Sequence, residues 1–140
     1  MNKPLQKTIV TLNVDVLSPE RKQLLHPLIE YIQHKTSLGN DIRLNFICTH
    51  NSRRSHLAQI WAQTMAFHFG VNRVNCYSGG TEATAMFPKV AETLINQGFQ
   101  IQQLSHENNP VYAIKYSLNE PPIICFSKRF EDEFNPQSDF

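Results

Sequence analysis

A cysteine, an arginine and a serine stand at a spacing that could support thiol chemistry on an oxyanion. Cys48 ends an apolar run, Arg54 follows six positions later and Ser55 comes directly after it. A loop between a strand and a helix turns backbone N–H groups inward, and the start of the helix adds unpaired donors and the positive end of its dipole. Such a loop binds a tetrahedral dianion and lowers the pKa of a cysteine held in it. The segment therefore predicts a nucleophilic Cys48 in an oxyanion-binding loop.

The residues of this loop have separate predicted roles. The guanidinium of Arg54 can hold two oxyanion oxygens in a fork and stays charged while the Cys48 sulfur attacks. Ser55 can donate a hydrogen bond to that sulfur, and Asn51 tolerates the left-handed backbone of a tight loop. The intervening residues are predicted to line the anion site: Thr49, His50, Asn51, Ser52 and Arg53. The alternative is a structural Cys48, because free cysteine often serves as a small core residue.

The surrounding pattern predicts the elements that position this loop. An apolar strand at 44–48 precedes it, and apolar residues at helical spacing follow from 54 until Gly70. A second strand at 74–78 and a helix that Pro88 opens complete a βαβα unit. This order is typical of a parallel sheet with helical crossovers, so the fold class is predicted to be α/β.

Segments on either side extend the unit. Ser18, Pro19 and Glu20 predict a helix start, and the helix continues to Gly39. Two apolar runs at 111–116 and 123–126 predict an appended β-hairpin. We therefore expect an N-terminal helical extension at 1–40 and an α/β domain at 41–140.

Composition limits the partners and the compartment. The net charge is +1, which predicts no nucleic-acid or membrane partner, and no leader or membrane-length apolar run is visible, so we expect a cytoplasmic protein. Three widely spaced cysteines predict reduced thiols rather than a disulfide framework or a zinc site. Core packing is favoured over a resolving role for Cys76 and Cys125. His50 and His56 flank the loop, but a thiolate beside two arginines is a poor metal site, so no metal is predicted.

The segment from Cys48 to Trp61 resembles the active-site signature of the low-molecular-weight protein tyrosine phosphatase family, and within it most resembles the thiol-coupled arsenate reductases. The likeness continues through 77–83 and along the helix segment at 88–101. It implies the short parallel sheet of that family and a catalytic Cys48. The positions that fall on the family pattern are Cys48, Thr49, Asn51, Ser52, Arg54, Ser55, Ala58 and Trp61.

The departures from that family pattern matter equally. His50 stands where the family usually has glycine and places a cation beside the anion, and Arg53 replaces a second loop cysteine. The chain has no Asp-Pro pair to provide the family's general acid and no late cysteine pair for reduction. We therefore expect a family member that is incomplete at the C-terminus. Such a chain would expose a sheet edge through which it could dimerise.

Three functions follow from the resemblance. The leading hypothesis is an arsenate reductase-like enzyme in which Cys48 attacks arsenate and an external thiol, such as glutathione, mycothiol or thioredoxin, completes the reduction. The second is a phosphatase that hydrolyses phosphomonoesters through a Cys48 phosphoenzyme. The third is an inactive remnant that binds oxyanions without turnover. None of the three requires a bound cofactor.

Overall fold

Helices and strands alternate along the chain, and the α/β fold class is confirmed. The computed structural model describes all 140 residues. In chain order the elements are α1 (Lys3–Val10), a short 3-10 turn (Val14–Val16), α2 (Pro19–Ser37), β1 (Ile42–Cys48), α3 (Arg54–His68), β2 (Val74–Gly80), α4 (Pro88–Asn96), β3 (Gln100–Gln103), β4 (Tyr112–Lys115) and β5 (Ile123–Cys125). None of the helices is both long and apolar enough to cross a bilayer.

β1 and β2 form a parallel pair that α3 connects. Alternate residues of the two strands, including Ile42 and Val74, are buried beneath α2 and α3. In the pairing register Ile42 lies opposite Val74, and Cys48 lies opposite Gly80. The carboxyl ends of both strands therefore lie side by side, and the loop after β1 meets the turn after β2 there.

Side chains of α3 form hydrogen bonds with the backbone groups of β2 that point away from β1. Gln63 accepts a hydrogen bond from Cys76 N at 2.9 Å and donates one to Val74 O at 2.9 Å. Gln59 donates to Cys76 O at 3.0 Å. These amides pair backbone groups that would otherwise need a neighbouring strand.

The predicted hairpin is present and belongs to a second, antiparallel sheet with the order β3-β4-β5. β4 pairs with β5 as the sequence predicts, and Ile114 lies opposite Ile123. β3 adds to the other side of β4, so that Ile101 also lies opposite Ile114. The hairpin is thus extended by a strand that the apolar pattern does not predict.

α1 packs in the same core as the second sheet. Leu5 and Ile9 are buried in a cluster with Leu94 and Ile114. The backbone of α1 lies close to the turn after α4, since a Cβ placed on Gly98 would lie 2.3 Å from Leu5 N. The predicted boundary at residue 40 stays a prediction, and the packing ties α1 to the α/β body.

α2 and the C-terminal residues lie along the free edge of β1. Ile42 N donates to Arg73 O on the β2 side, so Asn45 N points the other way, where it donates to Phe140 O at 2.9 Å. The Phe140 ring lies 5.3 Å from the Tyr31 ring of α2. Ile47 stays 53% exposed on this edge. Dimerisation through the edge remains a prediction.

Candidate active site

The loop at 48–55, called the cysteine loop below, places the Cys48 sulfur against a set of donors. Ser55 Oγ lies 3.0 Å from the Cys48 Sγ. The backbone N–H groups of Ser55, Asn51 and Ser52 also point toward the sulfur. Because α3 begins at Arg54, the first of these groups is an unpaired donor of a helix N-terminus. The sulfur therefore lies in a pocket of hydrogen-bond donors.

These donors control the ionisation of Cys48. Burial of the thiol acts to raise its pKa, but the Ser55 hydroxyl and the backbone N–H groups of Ser55, Asn51 and Ser52 outweigh it. The pKa of Cys48 consequently lies below its ordinary value. Hydrogen bonds to the charged form are the physical cause, since they stabilise the thiolate more than the thiol.

Asn51 holds the loop from beneath. Its φ is 44°, in the left-handed region, and its side chain is fully buried. Asn51 Nδ2 donates to Ser55 Oγ at 2.8 Å and to Ser78 Oγ at 3.0 Å, while Asn51 Oδ1 accepts from Lys128 N at 2.9 Å. Hydrogen bonds to both the nitrogen and the oxygen of its side-chain amide thus stabilise Asn51 in this strained backbone conformation.

This arrangement gives the hydrogen bond at the sulfur a direction. Lys128 N can only donate, so the oxygen of Asn51 must face it and the amide nitrogen must face the two serines. Ser55 Oγ then accepts from Asn51 Nδ2. The hydroxyl hydrogen of Ser55 is left for the Cys48 sulfur.

The residues at 81–87, called the outer segment below, bind the outer face of the cysteine loop. Thr81 N donates to Cys48 O at 3.0 Å, Glu82 N to Thr49 O at 2.8 Å and Phe87 N to Ser52 O at 2.9 Å. The loop carbonyls are therefore turned outward. None of the backbone N–H groups at 49–53 donates to an oxygen of the chain. Those of Asn51 and Ser52 point toward the Cys48 sulfur, and the others are left free for an anion.

Gly80 allows this close approach. A Cβ at this position would lie 2.4 Å from Glu82 O, 2.6 Å from Thr49 O and 2.7 Å from Asn51 N. Real Cβ atoms do not come that close to backbone atoms. Glycine is therefore required where β2 ends beside the loop.

The predicted site residues lie together in the cysteine loop, but they differ in how much of each is exposed to solvent. Asn51 and Ser55 are buried, and Cys48 and Ser52 are partly buried. Arg54 is exposed and makes no hydrogen bond or ion pair in the chain, so its guanidinium is free for an anion. The others lie exposed around the loop: Thr49, His50 and Arg53.

Two of the residues that depart from the family pattern have partners on the outer segment. His50 Nε2 lies 3.4 Å from Glu82 Oε2. The Arg53 guanidinium lies 5.3 Å from the centre of the Phe87 ring. Both pairs are on the rim of the loop rather than beneath it.

His56 is buried behind the loop, not beside the anion. Ser78 Oγ donates to Gln59 Oε1 at 2.6 Å and lies 3.3 Å from His56 Nδ1, so that nitrogen carries the hydrogen. Burial lowers the pKa of His56 to about 4, and the charge of Lys128 adds to this effect. The ring is therefore neutral at pH 7. No group of three His, Cys, Asp or Glu side chains is placed to hold a metal ion.

The other two cysteines lie in the core. Cys76 and Cys125 are 6% and 0% exposed. Burial raises the pKa of each thiol to about 12. Neither is suited to attack an adduct on Cys48, because a thiol must ionise to act as a nucleophile.

The sequence did not predict three residues whose hydrogen bonds support the cysteine loop: Ser78, Ser127 and Lys128. Ser127 Oγ accepts from Thr84 N at 2.8 Å and donates to His50 O at 2.9 Å. Ser78 lies in a segment that resembles the family, and its polar side chain before two glycines was a signal that could have identified it. Lys128 and Ser127 contact the loop across 77 residues of sequence, so local patterns contain no such signal.

The fold and the site define a class: α/β proteins in which a Cys-x5-Arg loop joins a parallel strand to a helix and surrounds the cysteine sulfur with hydrogen-bond donors. The chain belongs to the low molecular weight phosphotyrosine protein phosphatase family, whose model matches residues 43–117, more than half of the chain. Members act on phosphate or phosphomonoester substrates and need no metal cofactor. No curated protein and no solved structure gives a significant match. The matched range runs from β1 through β4 and includes the whole cysteine loop.

Proposed function

We propose that the protein hydrolyses phosphomonoesters through a covalent phosphate on Cys48. The observation that carries the proposal is the Cys48 sulfur among hydrogen-bond donors, with a lowered pKa, in a loop whose Arg54 makes no hydrogen bond or ion pair in the chain. Backbone N–H groups of the loop and the Arg54 guanidinium hold the three terminal oxygens, and the thiolate attacks phosphorus in line with the leaving oxygen. Water then hydrolyses the phosphocysteine and regenerates the thiolate.

Phosphate hydrolysis is favoured over arsenate reduction by the position of the other thiols. The hydrolytic cycle needs water alone, whereas reduction of arsenate consumes two thiols per turnover. Cys76 and Cys125 are buried with raised pKa values, so neither is suited to serve as one of these thiols.

Arsenate reduction is the second candidate, because the loop has the arsenate-reductase-like pattern. Cys48 would form a thiol–arsenate adduct, and an external thiol would attack the Cys48 sulfur. Arsenite then leaves with two electrons, and a mixed disulfide remains on Cys48. A second external thiol, from a small thiol or thioredoxin, would release that disulfide. Both cycles need reduced Cys48, which fits the reducing environment of the cytoplasm.

The first experiment is a thermal melt with and without phosphate, followed by hydrolysis of p-nitrophenyl phosphate. Ligand at about one hundred times its dissociation constant adds about 2.7 kcal/mol to the free energy of unfolding. We expect the shift to disappear in Arg54→Ala and to persist in the matched control Arg21→Ala on α2. Hydrolysis should disappear in Cys48→Ser.

The outcomes separate the candidates. Hydrolysis that depends on Cys48 supports the phosphatase. Arsenite formation with glutathione or thioredoxin, without phosphate hydrolysis, would favour the reductase. An Arg54-dependent shift with no turnover in either assay would indicate an oxyanion-binding remnant.

A further inference from the structure

Phosphomonoester hydrolysis needs a proton donor as well as a nucleophile. When the thiolate attacks phosphorus, the ester oxygen leaves with the electron pair of the P–O bond. An alkoxide or phenoxide is a poor leaving group, and protonation by a positioned side chain accelerates such a step by about 10²–10⁴. The donor must lie on the rim of the loop, because the leaving oxygen points away from the attacking sulfur.

Three of the four side-chain carboxylates between residues 127 and 140 are held by other partners. Asp139 accepts from Lys35 Nζ at 2.7 Å on α2. Glu131 accepts from Arg129 Nε at 2.8 Å. Asp132 Oδ1 accepts from Phe134 N at 2.9 Å. Glu133, the fourth, makes no hydrogen bond or ion pair in the chain, and none of the four makes one with the cysteine loop.

His50 is a titratable residue of the cysteine loop itself, and it has a carboxylate partner. It stands in the cysteine loop two residues after Cys48, and its side chain is 54% exposed on the rim. Its backbone is fixed, because His50 O accepts from Ser127 Oγ at 2.9 Å and from Thr84 Oγ1 at 3.2 Å. Its Nε2 lies 3.4 Å from Glu82 Oε2. Its Nδ1 makes no hydrogen bond in the chain.

We propose that His50, oriented by Glu82, is the general acid and base of this site. The inference rests on the proposed phosphatase function. The Glu82 carboxylate faces Nε2 at 3.4 Å, an ion-pair distance, and so leaves the unpartnered Nδ1 to exchange the catalytic proton. The two ring nitrogens thus have different roles, because Nε2 has a carboxylate partner and Nδ1 has none.

The proton and electron balance closes in two steps. In the first, the Cys48 thiolate forms the S–P bond, the P–O bond to the leaving group breaks, and Nδ1–H of the imidazolium protonates the departing oxygen. In the second, neutral Nδ1 takes a proton from water as that water attacks phosphorus. The S–P bond breaks, phosphate leaves, and the Cys48 thiolate and the His50 imidazolium are restored.

Leaving-group dependence tests this role. We would compare kcat/KM for p-nitrophenyl phosphate, whose leaving group needs little protonation, with that for phenyl phosphate and phosphotyrosine. In His50→Asn we expect a loss of about 10²-fold or more for the two poor leaving groups and less than about threefold for p-nitrophenyl phosphate. Glu82→Gln should show the same selective loss to a smaller extent.

The chain offers a matched control and a second variant. His26 Nδ1 lies 3.5 Å from Glu30 Oε1 on α2, so His26→Asn removes an equivalent exposed pair away from the loop. It should leave all three substrates unaffected. His50→Gly restores the residue usual in the family at this position. Its rate of Cys48 alkylation by iodoacetamide reports whether the loop is still formed.

Each outcome decides the proposal. A selective loss in both His50 variants, with alkylation of Cys48 retained, supports it. Equal losses for all three substrates, or none, would overturn it while the phosphatase function stands. If the unchanged protein hydrolyses none of the substrates, the proposed function fails and this inference fails with it.

Discussion

Replacement of Ser55 by alanine tests the assignment of the hydrogen at the Cys48 sulfur. The hydroxyl lies 3.0 Å from the sulfur and accepts from Asn51 Nδ2, so its own hydrogen is directed at Cys48. A hydrogen bond to a charged group contributes about 1.5–3 kcal/mol. At pH values below the pKa of either protein, its loss lowers the thiolate fraction about 10- to 100-fold.

The observed rate should change less than the thiolate fraction. A thiolate of higher pKa is intrinsically more nucleophilic, with a Brønsted slope of about 0.4–0.5, which recovers nearly half of the effect on a logarithmic scale. We therefore expect iodoacetamide alkylation of Ser55→Ala to be about three- to tenfold slower at acidic pH. At alkaline pH, where both proteins are thiolates, the same Brønsted slope should make the variant about three- to tenfold faster.

The assay is the pH dependence of the alkylation rate. Cys48→Ser gives the background from the buried Cys76 and Cys125, and Ser55→Thr keeps a hydroxyl and should stay close to the unchanged protein. An alkylation profile of Ser55→Ala that matches the unchanged protein at every pH would refute the donor assignment.

Two further predictions concern residues behind and beside the loop. Between pH 6.5 and about 4 the unfolded His56 binds a proton that the buried ring cannot, so the free energy of unfolding should fall by roughly 3 kcal/mol as pH decreases. Urea unfolding of His56→Gln should show a smaller decrease, and equal slopes would contradict the assignment. Gly80→Ala should abolish the phosphate-induced melting shift, because its Cβ would lie 2.6 Å from Thr49 O. Gly39→Ala, with no atom within 4 Å, should keep that shift despite its φ of +66°.

Local signals were sufficient to predict the elements that surround the loop. The apolar run that ends at Cys48 and the helical spacing after it predict β1 and α3, and α3 does begin at Arg54. Gly70, with φ of 67°, follows its end at His68. Strand, loop and helix are adjacent in sequence, so their order alone places Cys48 and Arg54 in one loop.

Elements stabilised by distant contacts were not predictable in this way. α1 has only eight residues, and its helix is held because Leu5 and Ile9 fill the core beneath Leu94. β3 offers Ile101 as its one apolar residue and depends on pairing with β4. In α2, Leu24, Leu28 and Ile32 recur at helical spacing in the sequence, yet Leu24 is 72% exposed, so that periodicity did not indicate burial at every position.

The same distinction applies to the site, and it links the chemistry to the fold. Cys48 and Arg54 are close in sequence, but Asn51 is oriented by Lys128 N, which lies 77 residues away. Without that donor the Asn51 amide could rotate, and Ser55 would lose the contact that directs its hydrogen to the sulfur. The lowered pKa of Cys48 therefore depends on correct placement of the residues after β5 as well as on the loop. Thiolate reactivity should accordingly be lost when those residues detach from the sheet, even while β1 and α3 remain folded.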